Sequence, residues 1–219
     1  MNKNDLHKLY LEELTHIDVT HGGNVKNKHP ERWNIHDFEP KYPYDLALAI
    51  SKDIDIWLWS DQHFNHKNII RYSNRPYSDI LDMNEQLIAN HNSVVKPNDI
   101  VIWGGDIGFG NINQINDYLS RCNGYTIHIL GNHDMFRDGK LYPLNVHEVH
   151  SCLVLPIEQV YLLFTHYPID NVPERCINVH GHIHTHPAFT HQHVNISVEQ
   201  IEYTPINIKT ILQRIDQIL

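Results

Sequence analysis

Cysteine is scarce in this chain: Cys122, Cys152 and Cys176 are the only three in 219 residues, an odd set with no C-x-x-C spacing. That argues against a disulfide framework and against a cysteine zinc site, and it fits a reducing compartment. Long apolar runs are lacking as well. No stretch approaches the roughly 18–20 uncharged apolar residues of a membrane-spanning helix. The start, Met1-Asn2-Lys3-Asn4-Asp5, has no apolar segment behind its positive charge, so no secretory signal is read there and a cytoplasmic location is expected. Positive charge is in deficit, with 17 Lys and Arg against 26 Asp and Glu, a net charge of -9. Strong binding to duplex nucleic acid, which needs a basic footprint, is therefore not expected. A small phosphorylated or nucleotide substrate is still compatible, because a few cations in a cleft reverse the local field. Oligomeric state is left open, a homodimer included.

What the chain does have is length for one domain with an appendage, a 41% hydrophobic content that can build a sizeable core, and 19 histidines. Histidine is the commonest metal ligand and the usual proton donor near neutral pH, so its placement matters more than its number. Apolar residues at three- and four-residue spacing predict amphipathic helices over residues 5–16, 82–95, 111–121 and 208–219, and a short helix over 44–51. Asp82 and Glu85 are spaced like a capping box for the second of these. Strand-like runs fall at 54–60, 99–103, 125–130, 159–165, 176–180 and 193–198. Trp57 and Trp59 share one side of the first run and are expected to pack beneath a helix. Alternating strands and helices, with strands closer together in the second half, predict an α/β fold on mixed sheets. Residues 1–52 read as a helical extension packed on the core, with a lid or dimer surface as the alternative, and residues 53–219 as the main domain.

The unusual residues gather just after the strand-like runs. Asp61-Gln62-His63 follows the first, Gly104-Gly105-Asp106 the second, and Gly131-Asn132-His133-Asp134 the third. Thr165-His166 follows the fourth and Gly181-His182-Ile183-His184 the fifth. Loops at strand ends are where α/β enzymes build sites, because a rigid sheet aims several connections into one crevice. Each cluster alone is an ordinary turn. Five in order, all offering oxygen or nitrogen donors and none a thiolate, point to a site for Mn, Fe, Co or Zn.

These five motifs, over about residues 54–208, resemble the calcineurin-like metallophosphoesterases in kind and in order. The run from Ser60 to Ile70 and the Met83-Asn84-Glu85 helix are similar to compact bacterial and phage-type members. The resemblance implies a four-layer α/β/β/α sandwich and a site for two divalent metal ions, manganese first, with Fe, Ni, Co or Zn as alternatives. Asp61, His63 and His184 would bind one ion and Asn132, His166 and His182 the other, with Asp106 bridging both. Two cations about 3.5–4 Å apart repel, so a shared carboxylate is physically reasonable. The implied reaction is hydrolysis of a phosphoester by a metal-bridging hydroxide, with Asp106 and His133 as the catalytic residues and His133 assisting the leaving group. Asp134 is expected to orient His133.

The second motif reads Gly105-Asp106-Ile107-Gly108-Phe109-Gly110, without the Asp and Arg that follow it in protein phosphatases of the superfamily. Small or nucleotide phosphoesters are favoured on that ground, diesters ahead of monoesters because both histidines of Gly181–His184 are present. His66, Arg71, Arg75 and Arg137 are the candidates for holding substrate. Two other classes share parts of this pattern. One is a metal-binding scaffold without turnover, which the full ligand set argues against. The other is a nuclease, for which the chain is short and acidic, though a short oligonucleotide would fit.

Overall fold

The computed structural model describes residues 54–157 and 159–213. The extension over residues 1–52 and the helices expected at 5–16 and 44–51 lie outside the described residues. So does the end of the helix expected at 208–219.

Two mixed sheets organise the rest. The first contains β1 (Ile56–Trp59), β2 (Ile100–Trp103), β3 (Tyr125–Ile129), β4 (Glu148–His150) and β9 (Ile206–Asn207), in the order β4-β3-β2-β1-β9. Its first four strands are parallel and β9 is antiparallel to β1. The second contains β5 (Cys152–Ile157), β6 (Val160–Thr165), β7 (Cys176–His180) and β8 (His193–Asn195) in sequence order. Here β5 and β6 form an antiparallel pair, and β7 and β8 add in parallel. Four helices are described: α1 (Ile69–Tyr72), α2 (Ile80–Val94), α3 (Ile112–Ser120) and α4 (Ile208–Leu212), with a 3-10 turn at Val198–Gln200.

Period-two alternation explains the layering. Ile56 and Leu58 of β1, with Ile102, Ile127 and Ile129, face Leu153, Leu155, Leu162, Phe164, Ile177 and Val179 of the other sheet. Burying each such side chain contributes about 2 kcal/mol. The intervening residues, Trp57, Trp59, Val101 and Trp103, face α2 and α3 through Met83, Leu87, Ile115 and Leu119. The two tryptophans of β1 thus pack beneath helices. On the far face of the second sheet, Val154 and Leu163 are covered by Ile169 and Val172 of the loop after β6. The described residues therefore supply three layers, helices, sheet and sheet.

The start of α2 differs from the spacing argument. Asp79, not Asp82, is the N-cap, and its Oδ1 accepts from the backbone N–H of Leu81 at 2.9 Å and of Asp82 at 3.0 Å. Asp82 reaches back to the Ser78 N–H at 2.9 Å, and Glu85 pairs with Arg121 across to α3. Among strands, β4, β5 and β9 were not anticipated.

Candidate metal centre

The parallel ladder does not stop at the strand ends. Asp61 N–H donates to Gly105 O at 3.0 Å, His63 N–H to Asp106 O at 3.1 Å and Phe64 N–H to Ile107 O at 2.9 Å, so the loops after β1 and β2 run side by side. They do so in an unusual conformation. Asp61 (φ 60°), His63 (φ 53°), Asp106 (φ 55°), His182 (φ 69°) and His184 (φ 47°) all lie in the left-handed region. For residues with a Cβ this costs about 1–2 kcal/mol each. Such strain clusters at functional sites, where the surrounding structure holds it in place. Two glycines permit the close approach: a Cβ on Gly131 would strike Asp106, and one on Gly181 would strike Ser60 and Asp61.

The strained loops converge. Asp61, His63 and His184 each place a donor atom within 4.8 Å of the others, and so do Asp61, Asp106 and His166. Asp61 contributes to both groups. Its carboxylate is held by the His182 N–H at 2.9 Å and the Ser197 hydroxyl at 2.9 Å. Asp106 Oδ1 accepts from the His133 N–H at 2.8 Å, while Oδ2 faces His63 Nε2 at 3.6 Å and His166 Nε2 at 3.4 Å. Asn132 Oδ1 lies 3.1 Å from the same His166 nitrogen, and the His182 ring lies 5.1 Å from that of His166.

Hydrogen bonding around the site assigns the lone pairs. His166 Nδ1 donates to Gly104 O at 2.8 Å, so in the neutral ring Nε2 is an acceptor aimed at two further acceptors, Asn132 Oδ1 and Asp106 Oδ2. His63 Nδ1 contacts His66 Nδ1 at 3.3 Å, and buried His63 Nε2 has no hydrogen-bond partner. Acceptors turned on one another inside a protein are costly unless a proton or a metal cation lies between them. The electrostatics agree. Burial opposes charge on His166, but the Asp106 carboxylate outweighs it and lifts the imidazole to about 10. Burial likewise resists ionisation of Asp106, yet His166 and His63 hold its carboxyl well below the usual range. Burial raises Asp61, depresses His63 and takes His182 down to about 3. A divalent cation would complement several of these groups at once and displace the proton from His166.

Behind His184 lies a pair that spacing alone does not reveal. Glu199, on the 3-10 turn, accepts from His184 Nδ1 at 3.1 Å and pairs with Arg75 at 2.8 Å. Burial opposes ionisation of Glu199, but these two partners bring it down to about 2. Arg75 is thus not a phosphate grip. Its guanidinium is buried, and it also donates to the carbonyls of Asp61 at 2.7 Å and Gln62 at 2.8 Å. Asp134 also differs from its expected role. Its carboxylate accepts from the N–H groups of Asp106, Ile107 and Gly131 and from His128 Nε2, which anchors the loops instead of orienting His133. Of the remaining candidates, His66 lies half-buried beside His63, Arg71 is exposed over the Tyr72 ring, and Arg137 is exposed on the turn after Asp134.

An uncharacterized protein of Methanocaldococcus jannaschii, MJ1445, is 32% identical to this chain over 173 residues, 74% of the chain and 92% of that protein. The chain belongs to its family. No protein-family model matches the sequence. Among solved structures, AQ665 from Aquifex aeolicus, a protein of unknown function, aligns with a TM-score of 0.59 at 24% identity, covering 73% of this chain and 98% of that one. The two share a fold. Yfce, a phosphoesterase from E. coli, aligns with a TM-score of 0.35 at 15% identity over 66% of this chain and 78% of that one, too distant for any argument to rest on it. Among the described residues no helix is long and apolar enough to cross a membrane.

Proposed function

We propose that this chain is a metal-dependent phosphoesterase of the calcineurin-like kind that uses two divalent cations, manganese foremost, on small phosphodiesters or nucleotides, with phosphomonoesters second. One observation carries the reading: Asn132 Oδ1, Asp106 Oδ2 and His166 Nε2 converge on one another, with the unpartnered His63 Nε2 beside them. The all-oxygen-and-nitrogen donor set suits Mn, Fe, Co or Zn. The reaction class comes from the order of the five motifs.

When bound, such a cation pair supplies Lewis acidity toward phosphoryl oxygens and lowers the pKa of a coordinated water. The residues supply the rest. Asp61, His63 and His184 would hold one ion and Asn132, His166 and His182 the other, with Asp106 available to both. The His133 backbone N–H fixes the Asp106 carboxylate through Oδ1. The His133 ring, half-buried with its centroid 5.5 Å from that of His63, would hold a proton for the departing oxygen. Arg75 and Glu199 keep the loop after β1 and His184 in place.

The test is hydrolysis of bis(p-nitrophenyl) phosphate and p-nitrophenyl phosphate by manganese-reconstituted protein, with metal content measured on the same samples. Turnover should require manganese. Asp106→Asn should lose both metal and about 10³-fold in rate. His133→Ala should lose about 10²–10⁴-fold while keeping its metal. Metal-replete wild-type protein that turns over neither ester would instead make the chain a scaffold.

A further inference from the structure

Beside the donor cluster stands a row of rings that takes no part in holding a cation. The His66 ring stacks on Phe109 with centroids 4.8 Å apart and planes 20° from parallel. Tyr72 meets His66 edge-on at 6.2 Å, and the Arg71 guanidinium lies 5.6 Å from the centre of the Tyr72 ring. At the inner end, Phe109 meets His133 at 5.5 Å. The row therefore runs outward from His133 to the surface.

Two of its members are exposed to water: Phe109 is 40% exposed and Tyr72 64%. Their backbones are anchored. Phe109 N–H donates to Phe64 O at 2.8 Å, and the Phe64 side chain is fully buried in the core beneath the helices. Tyr72 is the last residue of α1, its N–H donating to Asn68 O at 3.0 Å. Rigid aromatic faces that stay in water beside a charged centre offer stacking area at little conformational cost.

The geometry points to a subsite for a flat ring: the base of a nucleotide lies against Phe109 and Tyr72 while its phosphate sits at the donor cluster next to His133. The inference rests on the phosphoesterase reading and deepens it by assigning the substrate class. A phosphate beside His133 puts the attached nucleoside within reach of Phe109, because the two protein rings are already in contact. Stacking accepts any base, since each has a π-face, so the class is nucleotides in general and not one base.

Isothermal titration of manganese-loaded protein with adenosine 5′-monophosphate and with ribose 5-phosphate isolates the base, since the two ligands share phosphate and sugar. The nucleotide should bind about tenfold or more tightly, in line with the usual gain from one stacked base. Phe109→Ala should erase most of that gap without changing ribose 5-phosphate binding, Phe109→Trp should restore it, and Tyr72→Ala should reduce it. Both substituted side chains are exposed, so the variants should fold. Equal affinities in the wild type, or a gap untouched by both alanine variants, would overturn the subsite while leaving the phosphoesterase reading intact. If neither ligand binds manganese-replete protein, the subsite is overturned, while hydrolysis of bis(p-nitrophenyl) phosphate still decides the phosphoesterase reading separately.

Discussion

Two buried histidines, His91 under the helices and His166 at the strand ends, begin alike and end differently. Each donates one ring N–H to a backbone carbonyl at 2.8 Å, His91 to Asn123 and His166 to Gly104. The second nitrogen separates them. His91 Nδ1 is unpartnered among the rings of Trp59 and Trp103, on the regular backbone of α2. His166 Nε2 faces a carboxylate and an amide oxygen. Burial without a counter-charge takes His91 down to about 4. At His166 burial is opposed and exceeded by Asp106, which takes it to about 10. Burial alone does not mark a functional histidine; what the second nitrogen faces does.

The comparison can be broken most forcefully at the support behind the donor cluster. Glu199→Gln leaves the buried Arg75 guanidinium short of its counter-charge and puts a neutral amide in place of the carboxylate behind His184. It should cost about 3 kcal/mol of stability, read from urea unfolding of the metal-free protein. It should also weaken manganese binding by roughly 10–100-fold, as outer-shell partners of metal-binding histidines commonly do. Metal affinity unchanged in a folded Glu199→Gln protein would show that His184 needs no such support.

A smaller effect sharpens the other side. In the unfolded chain His91 titrates near an ordinary 6.5, whereas in the folded protein it stays neutral down to about 4. Between those values the unfolded state binds the extra proton, so this contribution to stability is complete above pH 6.5 and is lost as pH falls toward 4. The loss should reach about 2 kcal/mol by pH 5. His91→Phe keeps the ring packing and should flatten the acid limb of the stability curve against the wild type, without changing metal content. Two parallel curves would mean that His91 is protonated inside the fold.

Much of this arrangement was legible in the sequence, for a physical reason: strand ends and the turns after them are local. The five clusters could be placed because period-two apolar runs stop immediately before them, and β7 matches its expected range of residues 176–180. The strands missed were β4 and β9, three and two residues long and too short to show a period, and β5, which contains Pro156. The roles of Arg75, Glu199 and Asp134 were not legible either. Arg75 meets Glu199 across 124 positions, and no spacing rule reaches that far. Asp134 sits beside His133 in sequence, but the turn directs its carboxylate toward the backbone of a neighbouring loop. Asp61's place in both donor groups follows from a left-handed backbone that its residue type does not announce.

The most direct test of the central claim is the manganese count per chain after dialysis, paired with anomalous scattering from crystals of the same material. The account predicts two ions per chain, with an Asp106 carboxylate oxygen in contact with both. A single ion, or a pair that Asp106 does not touch, would contradict it.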